Sequence, residues 1–356
     1  MSETTINAAE ILHDATAVGA SDIFIVAGLP VSIRDSGRIM NEAEEMLKPA
    51  DTESLVRQVY ELAGNRDISQ LLVHGDDDFS FSLVGVSRFR VSAYKQRGSL
   101  SAVIRVIRFR LPDPKELGIP DSIIQLVNVR KGMVLITGPA GSGKSTTLAC
   151  MIDEINRTRE EHIITLEDPL EHLHRHQKSI VSQREINVDT DSYVTALRAA
   201  LRQSPDVILL GEMRDYETIN VAMTAAETGH LLFSTLHTIG AANTIDRIID
   251  VFPANQQRQI AVQLSLVLNA VVSQQLVPSL DGGRVPAFEI MTVTPAIRNM
   301  IRENKVPQID GVIYSSAKDG MISMDSSLQQ LYQSKKISRE TALTYATNPE
   351  MLARRI

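Results

Sequence analysis

Apolar positions along the chain fall into two regimes. Up to about residue 110, short apolar runs alternate with polar turns. Ile23-Phe24-Ile25-Val26 leads into the turn signal Gly28-Leu29-Pro30, and Phe79 to Leu83 alternates in the period of a half-buried strand. Phe89 to Ala93 and Ser101 to Ile107 continue the β pattern. His74-Gly75-Asp76-Asp77-Asp78 reads as a break between two strand candidates, and Asp51 to Leu62 sets Leu55, Val56 and Val59 on one side of a helix. A small α+β domain over residues 1–111 is predicted. Leu111-Pro112-Asp113-Pro114 and Gly118-Ile119-Pro120 then form a Pro/Gly-rich linker, 112–120.

Beyond the linker the runs become continuously apolar: Met133–Ile136, Ile163–Leu166, Val207–Leu210 and Leu231–Phe233, interleaved with helical periods. That pattern predicts a parallel sheet covered by helices on both faces, in an α/β core spanning 121–290. Residues 291–356 read as a helical tail. The longest uncharged stretch, Gln259 to Leu280, carries Ile260, Leu264, Val267, Leu268 and Val271 at helical spacing. We read it as a buried amphipathic helix, because Gln263, Asn269, Ser273, Gln274 and Gln275 would be costly in hydrocarbon.

Composition changes this picture in three places. A length of 356 residues suits two domains. One cysteine, Cys150, excludes an internal disulfide and a multi-cysteine zinc site, and points to a reducing cytoplasm. The net charge of −7 disfavours nucleic acid as a partner. The N-terminal Glu3 stands where a secretory signal would be basic.

The chemistry starts at Gly138-Pro139-Ala140-Gly141-Ser142-Gly143-Lys144-Ser145, which fits G-x-x-x-x-G-K-[ST]. Chance produces this in roughly one chain in a hundred of this length, and here a predicted strand precedes it and a predicted helix follows. Glycines let backbone N–H groups turn toward phosphates, Lys144 would reach the β- and γ-phosphates, and Ser145 would ligate Mg²⁺. Two more strands end in acids: Glu167-Asp168-Pro169 and Gly211-Glu212-Met213-Arg214-Asp215. Ligands of parallel α/β sheets bind at the carboxyl ends of strands, so Glu212, with Glu167 close behind, is the candidate to orient or deprotonate water. The same argument favours His237 over His230, which begins its strand, and sets aside Asp206. His172, His174 and His176 read as solvated rather than metal-binding. Arg88, Arg90, Lys95, Arg97, Arg105 and Arg108 make a local basic stretch in an acidic chain. Asn304-Lys305-Val306-Pro307 lacks the Asp of a guanine motif, which disfavours GTP.

Taken together these segments resemble the hexameric secretion and type IV pilus ATPases, nearest their retraction branch. Gly138 to Thr146 resembles the family's Walker A, Ile164 to Glu171 its Asp box, and Gly211 to Asp215 its atypical Walker B. Thr228 to Thr238 resembles its His box. The resemblance implies a PAS-like α+β N-terminal domain and a RecA-like P-loop ATPase domain. ATP and Mg²⁺ would be held by Gly138, Pro139, Ala140, Gly141, Ser142, Gly143, Lys144, Ser145 and Thr146, with Asp168 reaching the metal directly or through water. It gives His230 a stronger case and marks Arg90 and Arg105 as arginines supplied to bound nucleotide. Ala296 to Glu303 resembles the motif of retraction ATPases, with Met300 where Leu is usual and Thr294 and Pro295 placed to start the helix. Phe24, where His is frequent, and Gly320 to Leu328 depart from the family pattern.

The expectation is a homohexameric, Mg²⁺-dependent ATPase powering type IV pilus retraction through an inner-membrane platform protein. It would be cytoplasmic and peripheral at the membrane, without nucleic acid. A secretion or pilus-assembly ATPase, or a nucleotide-gated non-catalytic partner of another motor, are the alternatives. Assembly ATPases usually add a long N-terminal extension and a four-cysteine motif, neither of which is present.

Overall fold

The computed structural model describes residues 7–35, 38–107, 111–317 and 320–356, which excludes Arg108 of the basic stretch. The chain divides into two compact units, one comprising residues up to 110 with 171–173, the other residues 111–170 and 174–356.

The first unit runs α1 (Ala8–Ala17), β1 (Asp22–Ile25), β2 (Ser32–Asp35), β3 (Arg38–Asn41), α2 (Pro49–Leu62), α3 (Ser69–His74), β4 (Asp76–Leu83), β5 (Ser87–Gln96) and β6 (Ser99–Ile107). Its six strands order as β3-β2-β1-β6-β5-β4, all neighbours antiparallel. The segment at His74–Asp78 differs from the sequence expectation. A short helix, not a strand, precedes it, Gly75 closes that helix at φ +92°, and β4 already starts at Asp76. Buried and more exposed residues alternate along β4, so Asp77 points inward with Phe79 and Phe81 and is 6% exposed. Its charge is met by Arg66, which donates through Nε and Nη2 at 3.1 and 3.0 Å, and by the Tyr60 hydroxyl at 2.9 Å. Asp77→Asn leaves a buried fork and phenol imperfectly paired. We expect a loss of about 2–3 kcal/mol, below the cost of a fully buried pair because Arg66 is partly in water, read as a lower denaturant midpoint.

The second unit contains α4 (Asp121–Ile124), β7 (Gly132–Thr137), α5 (Lys144–Thr158), β8 (His162–Glu167), β9 (Ile180–Glu185), α6 (Tyr193–Ala200), β10 (Val207–Leu210), α7 (Tyr216–Glu227) and β11 (Leu231–Leu236). It continues with α8 (Ala241–Asp250), α9 (Ala254–Val267), β12 (Leu268–Pro278), β13 (Arg284–Thr292) and the tail helices α10 (Pro295–Arg302), α11 (Ile309–Ser315), α12 (Met324–Gln333), α13 (Arg339–Tyr345) and α14 (Pro349–Ala353). Strand order is β13-β12-β7-β11-β10-β8-β9, parallel except for the β12–β13 pair. The continuous apolar runs have a direct cause. Met133, Leu135, Ile164, Ile208, Leu210 and Leu232 enter one core, while Val134, Ile136, Ile163, Val207, Leu209 and Phe233 enter another on the opposite face. A strand buried on both sides has no polar face to show.

Gln259–Leu280 is not one helix. Helix α9 ends at Val267, and β12 follows directly between β7 and β13, with most of its residues buried. Ile260, Leu264 and Val267 do share a helical face toward the core, but Leu268 and Val271 are strand residues. Periodicity alone does not separate a buried strand from a buried helix, and here the two join without a turn residue.

Glu289 ties tail to core. Its buried carboxylate accepts from the N–H of Ala241 at the start of α8 and of Met324 at the start of α12, at 2.8 and 3.4 Å. Burial raises its pKa, and the N–H groups of the two helix N-termini offset only part of that cost. The Cys150 thiol is buried and pushed up to about 11, which makes it a poor nucleophile. Among the described residues no helix is long and apolar enough to cross a membrane.

Candidate active site

Strand register places the chemistry. Thr137 at the end of β7 aligns with Leu236 on β11, Ser234 with Leu210 on β10, and Leu210 with Leu166 on β8. The next residues in each strand therefore emerge at one edge: Gly138, His237, Gly211-Glu212 and Glu167-Asp168. This is the carboxyl edge, where α/β sheets bind ligands.

The loop from Gly138 to Gly143 is built for close approach. Gly138, Gly141 and Gly143 have φ of +141°, +71° and +88°. A Cβ on Gly138 would lie 2.1 Å from the Gln274 carbonyl oxygen, and one on Gly143 would lie 2.9 Å from Gln274 Nε2. Gln274 also accepts from Thr147 Oγ1 at 2.8 Å, so β12 buttresses the loop. Helix α5 begins at Lys144, whose Nζ donates to the carbonyls of Gly138 and Pro139 at 2.9 and 2.8 Å. The buried Ser142 and Thr137 hydroxyls have no protein partner. Inward-turned glycines, a buried ammonium, unsatisfied hydroxyls and a helix N-terminus fit a polyphosphate.

Next along the edge, Glu212 is held from two sides. Arg214 Nη2 lies 2.7 Å from its Oε1 and His237 Nε2 lies 3.2 Å from its Oε2, while its side chain is 13% exposed. Thr235 Oγ1 donates to Gly211 O at 2.7 Å and locks β11 to the turn that carries Glu212. Glu167 lies one strand further, with Gln183 Nε2 3.4 Å from its Oε1. Asp215 accepts from Thr218 N and caps α7, so within Gly211–Asp215 it is the structural member.

A family model described as type II/IV secretion system protein matches residues 3–340. The chain belongs to this family. It is 46% identical to a type IV pilus retraction ATPase, PilT, of Pseudomonas aeruginosa over 96% of this chain and 98% of that protein. It is 50% identical to a twitching motility protein of Neisseria gonorrhoeae over 78% of this chain and 74% of that protein. The crystal structure of the pilus retraction motor PilT with bound ADP matches at a TM-score of 0.89 and 45% identity, covering 98% of this chain and 99% of that one.

Not every residue singled out as a family match reaches this edge. His230 precedes β11; its Nδ1 lies 2.9 Å from Ala225 O, and its carbonyl accepts from Gly132 N at the start of β7. Six strand residues separate it from His237, about 20 Å at the usual rise. Asp206 lies at the same amino edge, accepting from His162 N. In the first unit, Arg90 and Arg105 are directly opposed across β5 and β6. Facing like charges oppose pairing, and the buried Asp22, bonded to Arg105 Nε at 3.1 Å and 3.9 Å from Arg34, offsets part of this. His172 and His174 are partly buried rather than solvated, with burial lowering the His172 pKa, while the exposed His176 accepts through Nδ1 from Val181 N at 3.0 Å. Among the described residues no group of three or more His, Cys, Asp or Glu gathers as a metal site.

Gln274 and Arg214 also belong to this candidate site, although no motif names either as a functional residue. Arg214 lay inside the matched Gly211–Asp215 segment. Gln274 has one signal, its place among the polar residues Ser273, Gln274 and Gln275 that interrupt a mostly apolar run.

Proposed function

We propose that this chain is a Mg²⁺-dependent ATPase acting as a homohexameric motor for type IV pilus retraction. It would pull through an inner-membrane platform protein, on the cytoplasmic face of that membrane. The observation that carries this reading is the single sheet edge presenting the phosphate loop, His237, Glu212 and Glu167 in order. Retraction, rather than secretion or assembly, is supported by near full-length similarity to a protein named for it.

Lys144 and the loop N–H groups bind the phosphates, and Ser145 with Asp168 would hold the metal. Mg²⁺, when bound, neutralises charge on the phosphate oxygens. Glu212, fixed by Arg214 and His237, orients the attacking water and accepts its proton. Arg90 and Arg105 are suited to clamp phosphate charge, and their mutual repulsion would fall when an anion joins them.

A deletion strain tests the direction of work. Retraction predicts cells with excess surface pili and no twitching. Bald cells would overturn retraction, while absent turnover by the purified protein would overturn the ATPase reading.

A further inference from the structure

The carboxyl edge holds one more polar group. Tyr193 is the first residue of α6, behind the cap formed by Ser192 Oγ and Thr195 N. Its ring packs, partly buried, against the core under β8 and β10. Its hydroxyl projects over Gly211: a Cβ on that glycine would lie 2.8 Å from the Tyr193 oxygen, 3.1 Å from Leu166 O and 3.4 Å from Glu167 Cα. The hydroxyl thus sits in the gap between the ends of β8 and β10, which carry Glu167 and Glu212. Only glycine at 211 leaves it room.

We propose that Tyr193 is a positioning residue for hydrolysis: its hydroxyl, near Glu212 and Glu167 but not bonded to them in this structure, donates to these carboxylates once nucleotide is bound and fixes where the attacking water sits. The proposal rests on the ATPase reading above. Burial raises the phenol pKa, and the charges of Glu212, Asp168 and Glu167 raise it further while Arg214 opposes them. The hydroxyl therefore keeps its proton at neutral pH and remains a donor. The hydroxyl places a neutral donor near two acids. His237 and Arg214 reach Glu212 from its own side of the gap, and the hydroxyl stands on the side of β8.

Tyr193→Phe keeps the ring and removes only the oxygen. A hydrogen bond to a charged group is worth enough to predict a fall in kcat on the order of tenfold. KM for ATP and the melting temperature should stay near wild type, because the phosphate loop and the core contact are untouched. Gly211→Ala supplies an independent check. In the parent it should lower kcat by pushing the hydroxyl aside, and in the Tyr193→Phe background it should cost several-fold less. Wild-type kcat in Tyr193→Phe, or a rise in KM at constant kcat, overturns the positioning role. Additive effects of the two substitutions also overturn it. A wild-type protein without turnover removes both this role and the ATPase reading, and so is distinct from a silent Tyr193→Phe beside an active parent.

Discussion

Lys144→Ala is expected to reduce ATP turnover by at least 10²- to 10³-fold, the scale on which a single preorganised charge at a phosphate acts. Lys144 is only 8% exposed, and its ammonium is held by two carbonyls of its own loop. A buried cation so placed is poised at the mouth of an anion cradle, and alanine replaces it with nothing. The fold should survive, because α5 is anchored by Leu148, Met151, Ile152 and Ile155 rather than by its first residue. Two readouts separate the causes. Phosphate release measures the chemistry, and the upward shift of melting temperature with MgATP measures binding. Both should collapse in the variant while its ligand-free melting temperature holds. Turnover within a few-fold of wild type would remove Lys144 from the site.

How the sequence disclosed this site depends on which interactions are local. The phosphate loop was legible because its chemistry is contiguous: three glycines with positive φ, one lysine and a helix start lie within seven residues. The acids and His237 were legible by one further step, since each follows an apolar run and parallel strands share a carboxyl edge. Thr294 likewise caps α10 through Ile297 N, a contact between near neighbours. What stayed hidden was set by pairings distant in sequence. Gln274 meets Gly138 and Thr147 only because β12 is inserted beside β7, and its run looked like a continued helix. Tyr193 reaches Gly211 only because α6 starts beneath two strand ends. The buried Asp77 was read as a turn residue because its partners, Tyr60 and Arg66, precede it by 17 and 11 positions.

His230 and His237 illustrate how a motif and a strand give different information. Both lie in one matched segment, yet β11 holds them at opposite edges of the sheet. The edge argument places them correctly because strand rise is fixed, whereas a motif records only order along the chain. Of these two histidines, His237 is the one that touches Glu212 within one copy of the chain.

The second large effect is expected at Glu212. Glu212→Gln preserves size but removes the charge and the proton acceptor, and kcat should fall by roughly 10²- to 10⁴-fold, the usual worth of a positioned base. Geometry adds to the loss. The glutamate gives one oxygen to Arg214 and the other to His237, whereas an amide has only one oxygen to offer. One contact must therefore break or meet an N–H donor, so the side chain also loses its orientation. Binding should persist, since Lys144 and the glycine loop are unchanged; MgATP should still raise the variant's melting temperature. That pairing of retained binding with lost turnover separates Glu212→Gln from Lys144→Ala. Glu167→Gln is the control for the choice between the two acids. Glu167 lies one strand further from the phosphate loop and lacks the His237 contact, so its loss should be smaller. If Glu167→Gln abolished turnover while Glu212→Gln kept it, the water would be activated from β8, and the His237–Glu212 contact would serve only to hold two strand ends together.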